Sequence, residues 1–252
     1  MSQQEPVEET FISHLVELRD RLVKASIGIV VMTALIGFGI GPSKIYDLIA
    51  APMIAAMPVG SKMIATSVIS PFLVPMKVTL LFGFILSLPW VLYQMWAFVA
   101  PGLYTHEKKL VAPLVIASSA LFMAGVAFCY FLVFGKVFAF INQVSPTSIA
   151  VMPDIENYLD FVMSMCLAFG CAFEVPVVVV VLVRMGLVSV AKLREWRGYV
   201  IVAAFVIAAI VTPPDIVSQF SLAIPMWLLF EIGVILSPMF VQATTAPEEK
   251  AD

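Results

Sequence analysis

Apolar runs separated by short polar knots make up almost the whole chain. Six such runs fall at 25–41, 72–98, 110–135, 157–184, 198–211 and 216–236. A helix of about 20 apolar residues is what a hydrocarbon core of ~30 Å requires, so each run predicts a membrane span. The fifth run, at 198–211, would rise only about 21 Å as a helix and calls for local thinning of the bilayer. The third is long enough to tilt or to project beyond the bilayer. Pro89 lies inside the second, where its missing N–H predicts a kink. Ahead of the first run, Phe11, Leu15, Leu18 and Leu22 recur on one helical face, which predicts an interfacial amphipathic helix over 9–24 running into span 1. Within it Glu17 and Arg21, like Asp20 and Lys24, stand at i,i+4, worth a few tenths of a kcal/mol each (about 0.2–0.5). Residues 42–70, with Pro42, Pro52, Pro58 and Gly60, read as a loop carrying short helices, and 141–156 reads as a second loop of that kind.

Composition makes the bilayer reading firm. The chain is 62% hydrophobic and 12% charged with a mean hydropathy of +1.04, so lipid must be its solvent. A net charge of −3 says nothing for nucleic acid, since no basic patch dominates, and no nucleic-acid partner is expected. Cys129, Cys166 and Cys171 all sit in apolar runs with no CxxC spacing and read as small core hydrophobes. The acidic N-terminus (Glu5, Glu8, Glu9) has no basic stretch or cleavage site of a removed signal. Six spans put both termini on one side. Most of the lysines and arginines, from Arg19, Arg21 and Lys24 through Lys108, Lys109 and Arg184 to Lys192, Arg194 and Arg197, fall on that side. Only Lys44, Lys62 and Lys136 fall in the opposite loops, and Lys77 lies inside a span. That bias predicts cytoplasmic termini in a bacterial cytoplasmic (inner) membrane. The domains expected are a cytoplasmic N-terminal helix at 1–24, a membrane domain at 25–236 and a cytoplasmic tail at 237–252. No internal repeat supports an inverted-repeat transporter.

Nothing in the chain forms a nucleophile–base pair. His14 and His106 lie in separate segments, and HExxH, GxSxG and P-loop spacings are absent, so neither catalysis nor a metal site is expected. The candidates are carboxylates. Glu174, near mid-span in FGCAFEVP, must face a cavity or partner, be protonated, or be a hydrogen-bonded structural group. Glu231 lies toward the cytoplasmic end of span 6, where a structural role is favoured. TPPD at 212–215 predicts a rigid turn in which Asp215 caps the next helix. Glu17 and Glu107 stand on the same face, and Glu107 sits in WAFVAPGLYTHEKK (96–109) among Trp96, Phe98 and Tyr104. Two partly desolvated carboxylates there suit two guanidinium groups, while the bland alternative is a pair of solvated charges.

HLVELRDRL (14–22), SPFLVPMK (70–77), WAFVAPGLYTHEKK (96–109), FGCAFEVP (169–176) and TPPDIVSQFSLAIPMWLLFEIGV (212–234) together resemble the TatC family, the multispanning subunit of the twin-arginine protein translocase. The resemblance covers nearly the whole chain. It implies an all-α polytopic protein of six transmembrane helices in a cupped arrangement, with spans 5 and 6 short. The implied role is a receptor for the Arg-Arg signal peptides of folded precursors, powered by the proton motive force and without a cofactor. Position by position, it implies that Glu107 binds the twin arginines with Glu17 contributing, that Arg19 and Phe98 lie beside them, and that Glu174 faces the concave groove. It further implies that Thr212, Asp215 and Gln219 serve the single-span partners TatB and TatA, and that copies self-associate in the receptor complex. Lys108 and Lys109 are left for topology and anionic lipid contact. A self-sufficient proton-coupled transporter using Glu174 is the alternative.

Overall fold

The structure is a computed structural model that describes residues 5–57, 62–99, 111–146, 152–212 and 215–240. Among these the regular structure is helical: α1 (Glu5–Gly39), α2 (Pro42–Ala56), α3 (Ser70–Val99), α4 (Val111–Phe128), α5 (Phe134–Val144), α6 (Ile155–Phe173), α7 (Val175–Arg184), α8 (Val190–Glu195), α9 (Arg197–Val211) and α10 (Ile216–Phe240). A π-helical turn, Cys129–Val133, joins α4 to α5 into one rod. Five helices are long and apolar enough to cross a membrane, and α9 is a shorter apolar helix of 15 residues.

Three differences from the sequence expectation have physical causes. The run at 157–184 is two helices meeting at Glu174. Pro176 can give the Ala172 carbonyl no amide, and its ring crowds that carbonyl, so the helix must restart there. The third run continues to Val144, because 136–144 keeps its apolar face (Val137 and Phe138 are buried) although the residues between turn polar. The last run is not short: α10 has 25 residues, about 37 Å of rise. Its polar and proline positions are absorbed within the helix. Pro238 deprives the Val234 carbonyl of its helical donor, and the Ser237 hydroxyl donates to that carbonyl at 3.0 Å instead.

The same device docks α2. Pro52 leaves the Leu48 carbonyl without an amide partner, and the Tyr130 hydroxyl supplies the donor at 2.6 Å. Tyr158 donates to the neighbouring Ile49 carbonyl at 2.8 Å. Two tyrosines on the α4–α5 rod and α6 therefore fix a helix within the segment that the sequence reads as a loop carrying short helices.

Packing follows a relay in which α1 lies on α3, α3 on α4, α4 on α6, and α10 on both α7 and α9. The core is the stripe Leu159, Val162, Cys166 and Phe169 of α6, fully or almost fully buried at helical spacing. It faces Phe122, Cys129, Val133, Phe134 and Phe138 of the α4–α5 rod. In lipid, apolar surface gains little by leaving its solvent, so close approach of backbones carries the association. Gly125 lies against the Phe169 carbonyl and Gly170 against the Phe122 ring, where a Cβ would clash in either case.

Candidate functional site

Two of the predicted residues meet at the end of α3. The rings of His14, on α1, and Phe98, on α3, stack with centroids 4.5 Å apart. Glu17 stands three residues on from His14, about 60° round the same helix. Glu17 Oε1 accepts from Arg21 Nε at 2.9 Å and from Nη2 at 2.7 Å. The carboxylate already holds one guanidinium, its own i,i+4 neighbour, with Oε2 left over. Arg19 lies about 140° from His14 on α1, well exposed, and donates to Asp20 rather than joining Phe98. Asp20 is thereby paired with Arg19 and not with Lys24. Glu107, the main predicted residue, lies outside the described residues, as does His106.

From Phe98 a polar line runs inward. Trp96 is buried and its indole N–H donates to the Ser118 hydroxyl of α4 at 3.2 Å. Ser118 stands close enough to Glu174 to act on it electrostatically, without completing a hydrogen bond to either oxygen. Both Glu174 oxygens are buried and unpartnered among the described residues. Such a group costs several kcal/mol in hydrocarbon as an ion (about 2–4 by insertion scales) and less as a neutral acid. The break at Pro176 is what puts the carboxylate there. Glu174 occupies the junction between α6 and α7, with Gly233 of α10 close enough that a Cβ would sit 2.9 Å from Pro176 Cα. Ser118 and Trp96 were not singled out as its neighbours in the sequence, because they belong to other helices and only packing brings them in.

Thr212, Asp215 and Gln219 lie where α9 ends and α10 begins, each with a different hydrogen-bond partner. Thr212 donates to the Ala208 carbonyl at 2.8 Å at the end of α9. Asp215 accepts from the Ser218 amide at 2.7 Å, the capping bond expected of TPPD. Gln219 Nε2 donates to the Phe205 carbonyl at 3.3 Å and ties α10 back to α9. At the other end of this hairpin Arg197 pairs with Glu231 at 2.7 Å, the structural role expected of that glutamate.

A further polar cluster was missed in the sequence. Asp154 Oδ2 accepts from the Thr66 hydroxyl at 2.7 Å and from its amide at 3.0 Å, while Oδ1 accepts from the Glu156 and Asn157 amides as the N-cap of α6. These bonds hold the Asp154 carboxyl below its ordinary range, the Thr66 hydroxyl contributing most. Glu156 accepts from Ser70 at 2.7 Å and from Lys77 at 3.2 Å, and Lys77 also reaches Asp160 at 3.6 Å. Lys77 inside an apolar run was the one available signal.

Comparison with known proteins agrees with this architecture. The sequence model of the family described as Sec-independent protein translocase protein (TatC) matches residues 13–225. The Sec-independent protein translocase protein TatC of Escherichia coli K12 is 50% identical over 238 residues, covering 93% of this chain and 91% of that protein. That of Haemophilus influenzae is 46% identical over 233 residues, covering 92% and 90%. A crystal structure described as the twin arginine translocase receptor TatC superposes with a TM-score of 0.78 at 36% identity, over 90% of this chain and 99% of that one. The chain therefore belongs to the TatC family of Sec-independent protein translocases, as a multi-pass membrane protein.

Proposed function

We propose that the protein is the receptor subunit of a twin-arginine translocase, binding Arg-Arg signal peptides of folded precursors at the cytoplasmic face. The observation that carries this reading is the family match over 13–225, which spans Glu17, Glu107 and Glu174 in one colinear stretch. Glu107 and Glu17 take the two guanidinium groups, with Phe98 beside them, and Arg21 gives up Glu17 when the signal arrives. The hydrophobic part of the signal then lies along the groove that Glu174 faces. Arg19, which pairs with Asp20, has a weaker claim to the site than Phe98.

In this reading the protein has six spans in a cup, with both termini in the cytoplasm of a bacterial cell. The excess of lysine and arginine on the terminal side supports the orientation. The 15 residues of α9 rise about 22 Å, which supports a thinned bilayer at that edge. TatB and TatA dock at the α9–α10 hairpin around Thr212, Asp215 and Gln219, copies self-associate, and the proton motive force drives export. The family match gives no support to a self-sufficient transporter.

The test is crosslinking of a twin-arginine signal peptide to the protein in membranes, with intact and Lys-Lys versions. Strong crosslinking of the first alone, lost in Glu107→Ala with insertion retained, is the expected result. Equal crosslinking of both versions would sink the receptor reading, and wild-type binding by Glu107→Ala would sink the site.

A further inference from the structure

At the end of the molecule that carries the α9–α10 turn, the α4–α5 rod and α10 leave between them a cleft of about 240 Å³. Phe128 and Lys136 line one wall, and Phe220, Ser221, Ile224 and Pro225 the other. Two departures from regular helix meet there. In an unbroken α-helix Phe128 and Lys136, eight residues apart, would diverge by about 80°. The π-turn at Cys129–Val133 absorbs one extra residue and reduces the divergence to about 20°, which brings Lys136 and Phe128 onto the same wall of the cleft. Across the cleft, Pro225 has no amide hydrogen, so the Ser221 carbonyl loses its helical donor. Lys136 is exposed and pairs with no carboxylate among the described residues.

We propose that this cleft binds one anionic phospholipid. Its phosphodiester sits on Lys136, a headgroup hydroxyl donates to the Ser221 carbonyl, and one acyl chain lies between Phe128 and Phe220 with Ile224. Charge complementarity and size select this occupant. A lone cation at the mouth of an apolar slot matches a headgroup above a tail, and Lys136 lies two turns before the end of α5 at Val144, within snorkelling reach of the headgroup level. A partner helix of about 10 Å diameter needs a wider trough than this slot.

The test uses the full chain purified in detergent and titrated with phosphatidylglycerol or with phosphatidylcholine of the same acyl chains, read by native mass spectrometry. One phosphatidylglycerol is expected to be retained in preference to phosphatidylcholine. Lys136→Gln should weaken it by roughly fivefold or more, the effect of one basic residue at an anionic membrane. Lys136→Arg should keep it, Ile224→Trp should fill the slot and lose it, and Lys44→Gln, at an exposed lysine of α2, should leave it unchanged. Equal binding of the two lipids, or wild-type retention in Lys136→Gln, would overturn the proposal. Loss in Lys136→Gln without loss in Ile224→Trp would overturn it too, since surface charge alone would then account for the lipid.

Discussion

Asp154 and Glu156 are surrounded by donors, whereas Glu174, further along the same polypeptide, has none among the described residues. The first pair sits where the 62–70 segment crosses the start of α6, and Ile64 bridges that crossing with backbone bonds to Pro153 and Ile155 of 3.0 and 2.9 Å. Thr66, Ser70 and Lys77 complete it. A carboxylate so held rigidifies the crossing and has nothing left to offer a ligand. Glu174 stands at a helix break lined by Phe173, Val175 and Pro176, where the fold supplies a position and no partner. The difference separates carboxylates that hold the structure from one to which the described residues give no partner.

The largest effect should come from removing the close approach that keeps Glu174 near Ser118. Gly125→Leu puts a side chain into the Phe169 carbonyl and is expected to cost about 3 kcal/mol. Reversible unfolding in mixed detergent measures it, and a loss under about 1 kcal/mol would mean that α4 and α6 separate without penalty. Next comes a contrast of sign. Glu174→Gln should leave stability unchanged or raise it, since an unpartnered ionisable group becomes a neutral one. Glu156→Gln should lower it, because Lys77 loses its counter-charge and the one remaining amide oxygen cannot serve both Lys77 and Ser70 as the two carboxylate oxygens do. Melting curves of both variants decide this, and a fall for Glu174→Gln as large as that for Glu156→Gln would erase the distinction.

A smaller effect is expected for Asp154→Asn, which keeps the size of the cap and removes its charge. The pH dependence follows from the lowered carboxyl of Asp154. Because the folded value lies below the unfolded one, the stabilisation is fully present above the ordinary carboxylate range near pH 4 and disappears as pH falls through the folded value. The gap in melting temperature between wild type and Asp154→Asn should therefore be constant at neutral pH and close below about pH 4. A gap that widens on acidification would contradict the hydrogen-bond account. The smallest effect belongs to Arg19→Gln, which breaks only an exposed pair with Asp20, worth well under about 1 kcal/mol, and should leave melting unchanged.

Hydrophobic periodicity and run length by themselves determined that the protein is helical, that lipid is its solvent and where most helices begin. Those properties depend on local spacing and total apolar surface, and both are written in the residue order. Asp215 capping α10 was legible for the same reason, since a cap spans three residues. The division of 157–184 at Glu174 was signalled by Pro176 but hidden by the apolar residues around it. The length of α10 was hidden in the same way, because a proline that reads as a break can be carried inside a helix, at Pro238 with the Ser237 hydroxyl replacing the missing donor.

Only the tertiary structure decided which polar groups meet. Trp96 finds Ser118, His14 finds Phe98, Asp154 finds Thr66 and Tyr130 finds the carbonyl that Pro52 leaves open. Each of these pairs joins residues from different segments. Their free energy depends on distances that no local pattern specifies, and the carboxylate of Glu174 stands out because both of its oxygens are buried without a partner among the described residues.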